Sequence, residues 1–144
     1  MKLSKGFLTL CCLYVNFAVG ISQDLSKHQW KDRLLIIMTN EISESFNQQM
    51  RLFRNDNNGL IERKVVVYSV TPKGYKIGLE KETIMSNPKS LKELKKTDSP
   101  FEMILIGLDG GVKKRFKEVT KPIEIFELID SMPMRRSEMR TKGK

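Results

Sequence analysis

The sequence predicts an α/β domain, a mixed four-stranded sheet with helices on both faces. Two short apolar, partly β-branched runs, Arg33–Met38 and Lys64–Val70, flank an amphipathic stretch; strands of that kind are buried on both faces, and a helix between them implies a right-handed parallel crossover. A third run, Phe101–Gly107, leads into Asp109-Gly110-Gly111 and then Val112–Phe116. Asp-Gly between extended segments is a strong hairpin signal, because both residues tolerate the positive φ of a tight turn.

Residues 1–20 have the layout of a secretory signal peptide: Lys2 and Lys5 without an acid, the apolar stretch Gly6–Gly20, and small residues at Ala18 and Gly20, after which cleavage is expected. A retained anchor is the alternative, but Asn16 interrupts a run shorter than the roughly 20 residues a spanning helix needs. A lipid anchor on Cys11 would need a small residue where Leu10 stands. Both cysteines of the chain, Cys11 and Cys12, lie in this leader. The mature protein is therefore expected to be exported, periplasmic or extracellular, with no transmembrane segment and no disulfide, and to rely on packing alone.

In the domain expected over residues 21–134, Thr39-Asn40 precede Ile42, Phe46, Met50 and Phe53, apolar positions at helical spacing, with Asn40 as the expected cap. Asn55–Gly59 should end that helix in a turn. Residues 71–87 have no sustained period and are assigned no element. Pro88–Lys96 reads as a short helix with Leu91 and Leu94 on one face, and Pro122–Met132 as the last helix, stopped by Pro133. Val112–Phe116 is charged enough to be an edge strand. The tail, 135–144, has too few apolar residues to fold and reads as a solvated extension without which the domain still folds.

The formal net charge is +9. Two of those charges leave with the leader, and the tail holds five cations against Glu138, so the body is only mildly basic and nucleic acid is not an expected partner. Arg135, Arg136 and Arg140 are instead candidates for ionic attachment to an anionic partner. His28 is the only histidine and makes a poor metal site without a second ligand; it is expected at the surface or capping a helix. Glu124 and Glu127 lie three apart opposite an apolar face and read as solvated, not as a hydrolase pair. Nucleophile-elbow, phosphate-loop and EF-hand patterns are missing from the sequence. Trp30 is expected to pack on the sheet edge, and Met132, Met134 and Met139 to form an adaptable surface, Met132 being core.

Three segments sharpen the fold class: Gln29–Leu35, Leu105–Lys113, and Ile129–Arg140, the most specific of them. They resemble the domain-of-unknown-function family numbered 4174, found in small exported bacterial proteins and in animal extracellular-matrix and sushi-repeat proteins. The resemblance implies a thioredoxin-like fold, βαβ–α–ββα, without an established activity, catalytic residue or cofactor. A redox-active thioredoxin fold carries its cysteine pair after the first strand, where helix-terminal amides favour a thiolate; here that stretch is Thr39-Asn40-Glu41. Pro100, preceded by Ser99, stands where such folds carry a cis-proline. The expected binding groove thus lies between Thr39, Asn40 and Glu41 on one side and Ser99 and Pro100 on the other. Two function classes follow. One is a monomeric, non-redox binding or structural module for a protein, envelope or matrix component; the other is a non-thiol enzyme or degenerate peroxidase-like protein acting near Asn40 and Pro100.

Overall fold

The computed structural model describes residues 25–80, 84–86 and 89–143; the expected leader, with Cys11 and Cys12, lies outside them. In chain order, a 3-10 turn at Ser26–His28 precedes β1 (Arg33–Thr39), α1 (Glu44–Asn55), α2 (Asn57–Glu62), β2 (Val65–Thr71), β3 (Gly74–Ile77), α3 (Lys89–Leu94), β4 (Phe101–Ile106), β5 (Val112–Phe116), α4 (Pro122–Ser131) and α5 (Pro133–Lys142). The sheet has the order β3-β2-β1-β4-β5. β1 runs parallel to β2, and the other pairings are antiparallel.

Every residue of β1 is buried, and strand alternation divides them between two cores. Leu35 and Ile37 meet Phe46, Met50 and Phe53 of α1, Leu60 of α2, and Ile125, Phe126 and Ile129 of α4. Leu34, Ile36 and Met38 meet Leu25 and the α3 residues Leu91 and Leu94. At about 1.5–3 kcal/mol for each large apolar side chain buried, these two layers are the main stabilising term.

Several expectations are corrected. The sheet has five strands rather than four, because β3 folds back along β2 over residues that had no period. Its side chains are mostly half-buried, so they carry little hydrophobic alternation. Gly74 makes the fold-back possible: its φ is +148°, and a Cβ there would meet Ile84 Cγ2 at 2.5 Å. The cap of α1 is Ser43, whose Oγ accepts from the Phe46 amide at 3.3 Å. Asn40 is not a cap, because its own amide is bonded to the Pro100 carbonyl (3.0 Å) while the chain is still turning out of β1. Asn57–Gly59 are helical rather than a turn. α2 brings Leu60 into the core and approaches α4 so closely that a Cβ on Gly59 would sit 2.5 Å from Phe126 Cε2.

Trp30 is 63% exposed, not packed on the sheet. Its φ is +64° and its amide donates to the Leu108 carbonyl at 2.7 Å, a turn that leaves the indole outside. His28 is neither exposed nor a cap: its Nδ1 lies 2.7 Å from Asp32 Oδ2, and its Nε2 lies 2.8 Å from the hydroxyl of buried Tyr68.

The largest correction concerns the tail. Residues 133–142 form α5, and Arg135 is 1% exposed. Its Nε donates to Asp130 Oδ1 (2.9 Å) and its Nη2 to Glu62 Oε1 (2.7 Å). Arg63 holds the other side of Asp130, Nη2 to Oδ2 at 2.6 Å. Arg33, also 1% exposed, makes a bidentate pair with Glu138 at 3.2 and 3.3 Å. Ion pairing, rather than apolar burial, docks this helix, and that is why its composition reads as solvated. Burial alone would raise the pKa of Asp130; the bonds from Arg63 and Arg135 outweigh it and hold the carboxyl below its ordinary value. Burial also works against ionisation of Glu138, and Arg33 overcomes it.

Replacing Arg135 by alanine removes a buried cation and leaves half-buried Asp130 with Arg63 alone, so Arg135→Ala should lower the unfolding free energy by about 2 kcal/mol in urea titrations, the loss expected for charged hydrogen bonds, and truncation after Met134 by more. With depressed folded pKa values, Asp130 and Glu138 contribute fully above the unfolded carboxylate range of about 4. That contribution is lost as the pH falls through the folded values. The acid limb of stability against pH should therefore be steep in the native chain and flatter in Arg135→Ala.

Candidate functional site

The carboxyl ends of the parallel pair β1 and β2 open onto two hollows, one on each face of the sheet, where ligands of open α/β sheets characteristically bind. The first holds part of the sequence-predicted groove. Met38, Thr39, Asn40, Val70, Pro72 and Lys95 are among its lining residues, and its volume is about 290 Å³. The structure does bring Asn40 and Pro100 together, but through main chain, the Asn40 amide donating to the Pro100 carbonyl. All peptide bonds among the described residues are trans, Ser99–Pro100 included; the cis form expected from the fold analogy is not adopted, in line with the ordinary trans preference of about 0.5–1 kcal/mol.

The threonine, serine and lysine side chains here donate to main-chain carbonyls. Thr39 Oγ1 donates to the Glu41 carbonyl, Ser99 Oγ donates to the Phe101 carbonyl at 2.7 Å, and Lys95 Nζ donates to the carbonyls of Thr97 (2.8 Å) and Ser99 (2.6 Å). Glu41 is exposed. Of the tail residues, Arg136 and Arg140 are exposed on α5, whereas Arg135 is an internal structural cation.

Beneath the loop lies a carboxylate that sequence reading missed. Glu102 is fully buried on β4. It accepts from Arg115 Nη1 at 2.7 Å, from Thr97 Oγ1 at 2.9 Å and from the Thr97 amide at 3.3 Å. Burial pushes its pKa up, and the bonds from Arg115 and Thr97 outweigh that and keep it below the ordinary glutamate range. Arg115 Nη1 also donates to the Leu94 carbonyl at 2.9 Å. The pair thus fixes the end of α3 and the loop that carries Pro100.

The second hollow, about 430 Å³, lies on the opposite face between α1 and the β2–β3 arm. Phe46 and Met50 of α1 form one wall, Leu79 and Ile84 the other, and Arg54, Lys73 and Lys76 are among the polar residues that line it. Ser69 of β2 also lines it; it is 3% exposed, and its hydroxyl has no hydrogen-bond partner among the described residues. Sequence reading passed over these residues, because they come from four separate segments. The one signal was Ser69 itself, a small polar residue inside a run of valines and tyrosine.

Residues 24–138 match the model of the family described as Domain of unknown function (DUF4174). The chain belongs to that family. Among solved structures, this DUF4174 chain is similar to the reduced 2-Cys peroxiredoxin of Plasmodium vivax, with a TM-score of 0.58, 17% identity, and coverage of 78% of this chain and 72% of that one. It is also similar to the apo form of Trgpx, with a TM-score of 0.51, 20% identity, and coverage of 74% and 83%. These likenesses identify the fold of the DUF4174 domain as thioredoxin-like.

Arg115→Ala leaves Glu102 buried without its cation and should destabilise the protein by about 3 kcal/mol. Glu102→Gln should cost less, since Arg115 is partly exposed and can turn to water. Urea unfolding of both variants checks the order; equal, negligible losses would mean that the pair does not hold the loop.

Proposed function

We propose that this DUF4174 chain is an exported ligand-binding module that uses the thioredoxin-like scaffold without thiol chemistry, its ligand site being the 430 Å³ cleft between α1 and the β2–β3 arm. The observation that carries this reading is the buried Ser69 hydroxyl, without a partner among the described residues, facing a mixed apolar and cationic hollow at the carboxyl ends of the parallel strands. An unbonded buried hydroxyl is disfavoured by about 1–3 kcal/mol, and a bound molecule relieves it. The reading is further supported by the sequence between β1 and α1, Asn40-Glu41-Ile42-Ser43, which contains no sulfur nucleophile.

The rival is a non-thiol, peroxidase-like enzyme acting beside Asn40. Its support is the fold likeness to a peroxiredoxin and the 290 Å³ hollow lined by Asn40, Lys92 and Lys95. Against it, Lys95 is already bonded to two carbonyls and Ser99 to a third, leaving few free groups to activate a substrate.

A small-molecule library screened by amide-resolved NMR separates the two. Hits should perturb Phe46, Ser69, Gly74 and Gly78, and Ser69→Leu, which fills the cleft, should suppress them. Peroxide turnover that Asn40→Ala and Ser99→Ala abolish would decide for the enzyme.

A further inference from the structure

We infer that the cleft beside α1 takes a small amphiphilic anion, a single unbranched apolar chain ending in a carboxylate. This rests on the reading of the cleft as the ligand site and adds the ligand's chemistry.

The lining divides into two chemistries. Its apolar wall is formed by Phe46, Met50 and Leu79, and continues to a rim where Ile42 is 58% and Ile84 49% exposed. Exposed aliphatic side chains that continue a concave apolar wall mark a binding surface rather than a fully solvated one. The polar side carries Arg54, Lys73 and Lys76, none with a carboxylate partner among the described residues, against the one acid Glu80. In contrast, Arg33, Arg63 and Arg135 each face a carboxylate within the fold. Unpaired cations above an apolar wall select a molecule with a negative head and a hydrocarbon body, since the head gains charge-assisted hydrogen bonds and the body is removed from water. Ser69 adds a donor at the wall of the hollow for an oxygen of the head.

Size narrows the class. A hollow of about 430 Å³ lies toward the lower end of the roughly 300–1,000 Å³ typical of small-molecule sites. A single chain of about ten carbons with its carboxylate suits a site of that size better than a two-chain lipid.

The test titrates decanoate, decanol and decyltrimethylammonium, each below its aggregation concentration, into the purified protein by calorimetry. Decanoate should bind tightest. The surface variant Lys73→Gln/Lys76→Gln should weaken decanoate by about tenfold while leaving decanol unchanged, and Ser69→Ala, which removes only the hydroxyl, should weaken decanoate several-fold. Equal affinities for decanoate and decyltrimethylammonium, or indifference to the double lysine variant, would overturn the anionic ligand. In that case decanol binding that Ser69→Leu abolishes would keep the cleft as the site. Binding of every probe undiminished by Ser69→Leu would overturn the cleft itself.

Discussion

A strand buried on both faces cannot stand at the surface of anything, and β1 sets the architecture for that reason. All seven of its side chains are buried, and it pairs in register with both β2 and β4. Each face therefore needs its own cover: α1, α2 and α4 on one side, α3 and the segment around Leu25 on the other. The two hollows at its carboxyl end are the gaps left where these covers stop short of the sheet. Their position follows from the same constraint that produces the core.

The opposite end of β1 is closed by charge. Arg33 opens the strand with a buried guanidinium and meets Glu138, while Arg63 and Arg135 share Asp130. Buried ion pairs contribute little net stability over apolar packing but penalise any arrangement that separates them. Their effect here is to specify where α5 lies. The domain consequently extends through α5, and the family match reaches Glu138, the residue that pairs with Arg33.

The thioredoxin-like scaffold separates two properties that are joined in its redox-active forms: a helix beginning just after a central strand, and a sulfur placed there. This chain keeps the first. Ser43 caps α1, and between strand and cap the Asn40 amide bonds to the Pro100 carbonyl while the Glu41 carbonyl accepts from Thr39 Oγ1. Across the sheet, Ser69, Arg54, Lys73 and Lys76 line the larger hollow without a hydrogen-bond or carboxylate partner among the described residues.

The strands β1, β2 and β4, the Asp109-Gly110 hairpin and α4 were legible because each is encoded by local periodicity or turn chemistry. Asp109 accepts from the Gly111 amide and Gly110 has a φ of +80°, as the dipeptide implies. Thr39, Asn40 and Pro100 were legible as neighbours through the fold resemblance alone. β3 was not legible, because its half-buried residues carry no alternation, and neither was the cleft, whose lining comes from segments far apart in the chain. By itself the sequence determined the α/β class, the order of most elements and the lack of a cysteine between β1 and α1, since these depend on residue type and local spacing. Only the tertiary structure decided that the basic tail is a docked helix, that Arg135 is internal, and that Ser69 is buried without a partner among the described residues. Ion pairing and hydrogen-bond satisfaction depend on which distant groups meet, and no local pattern records that.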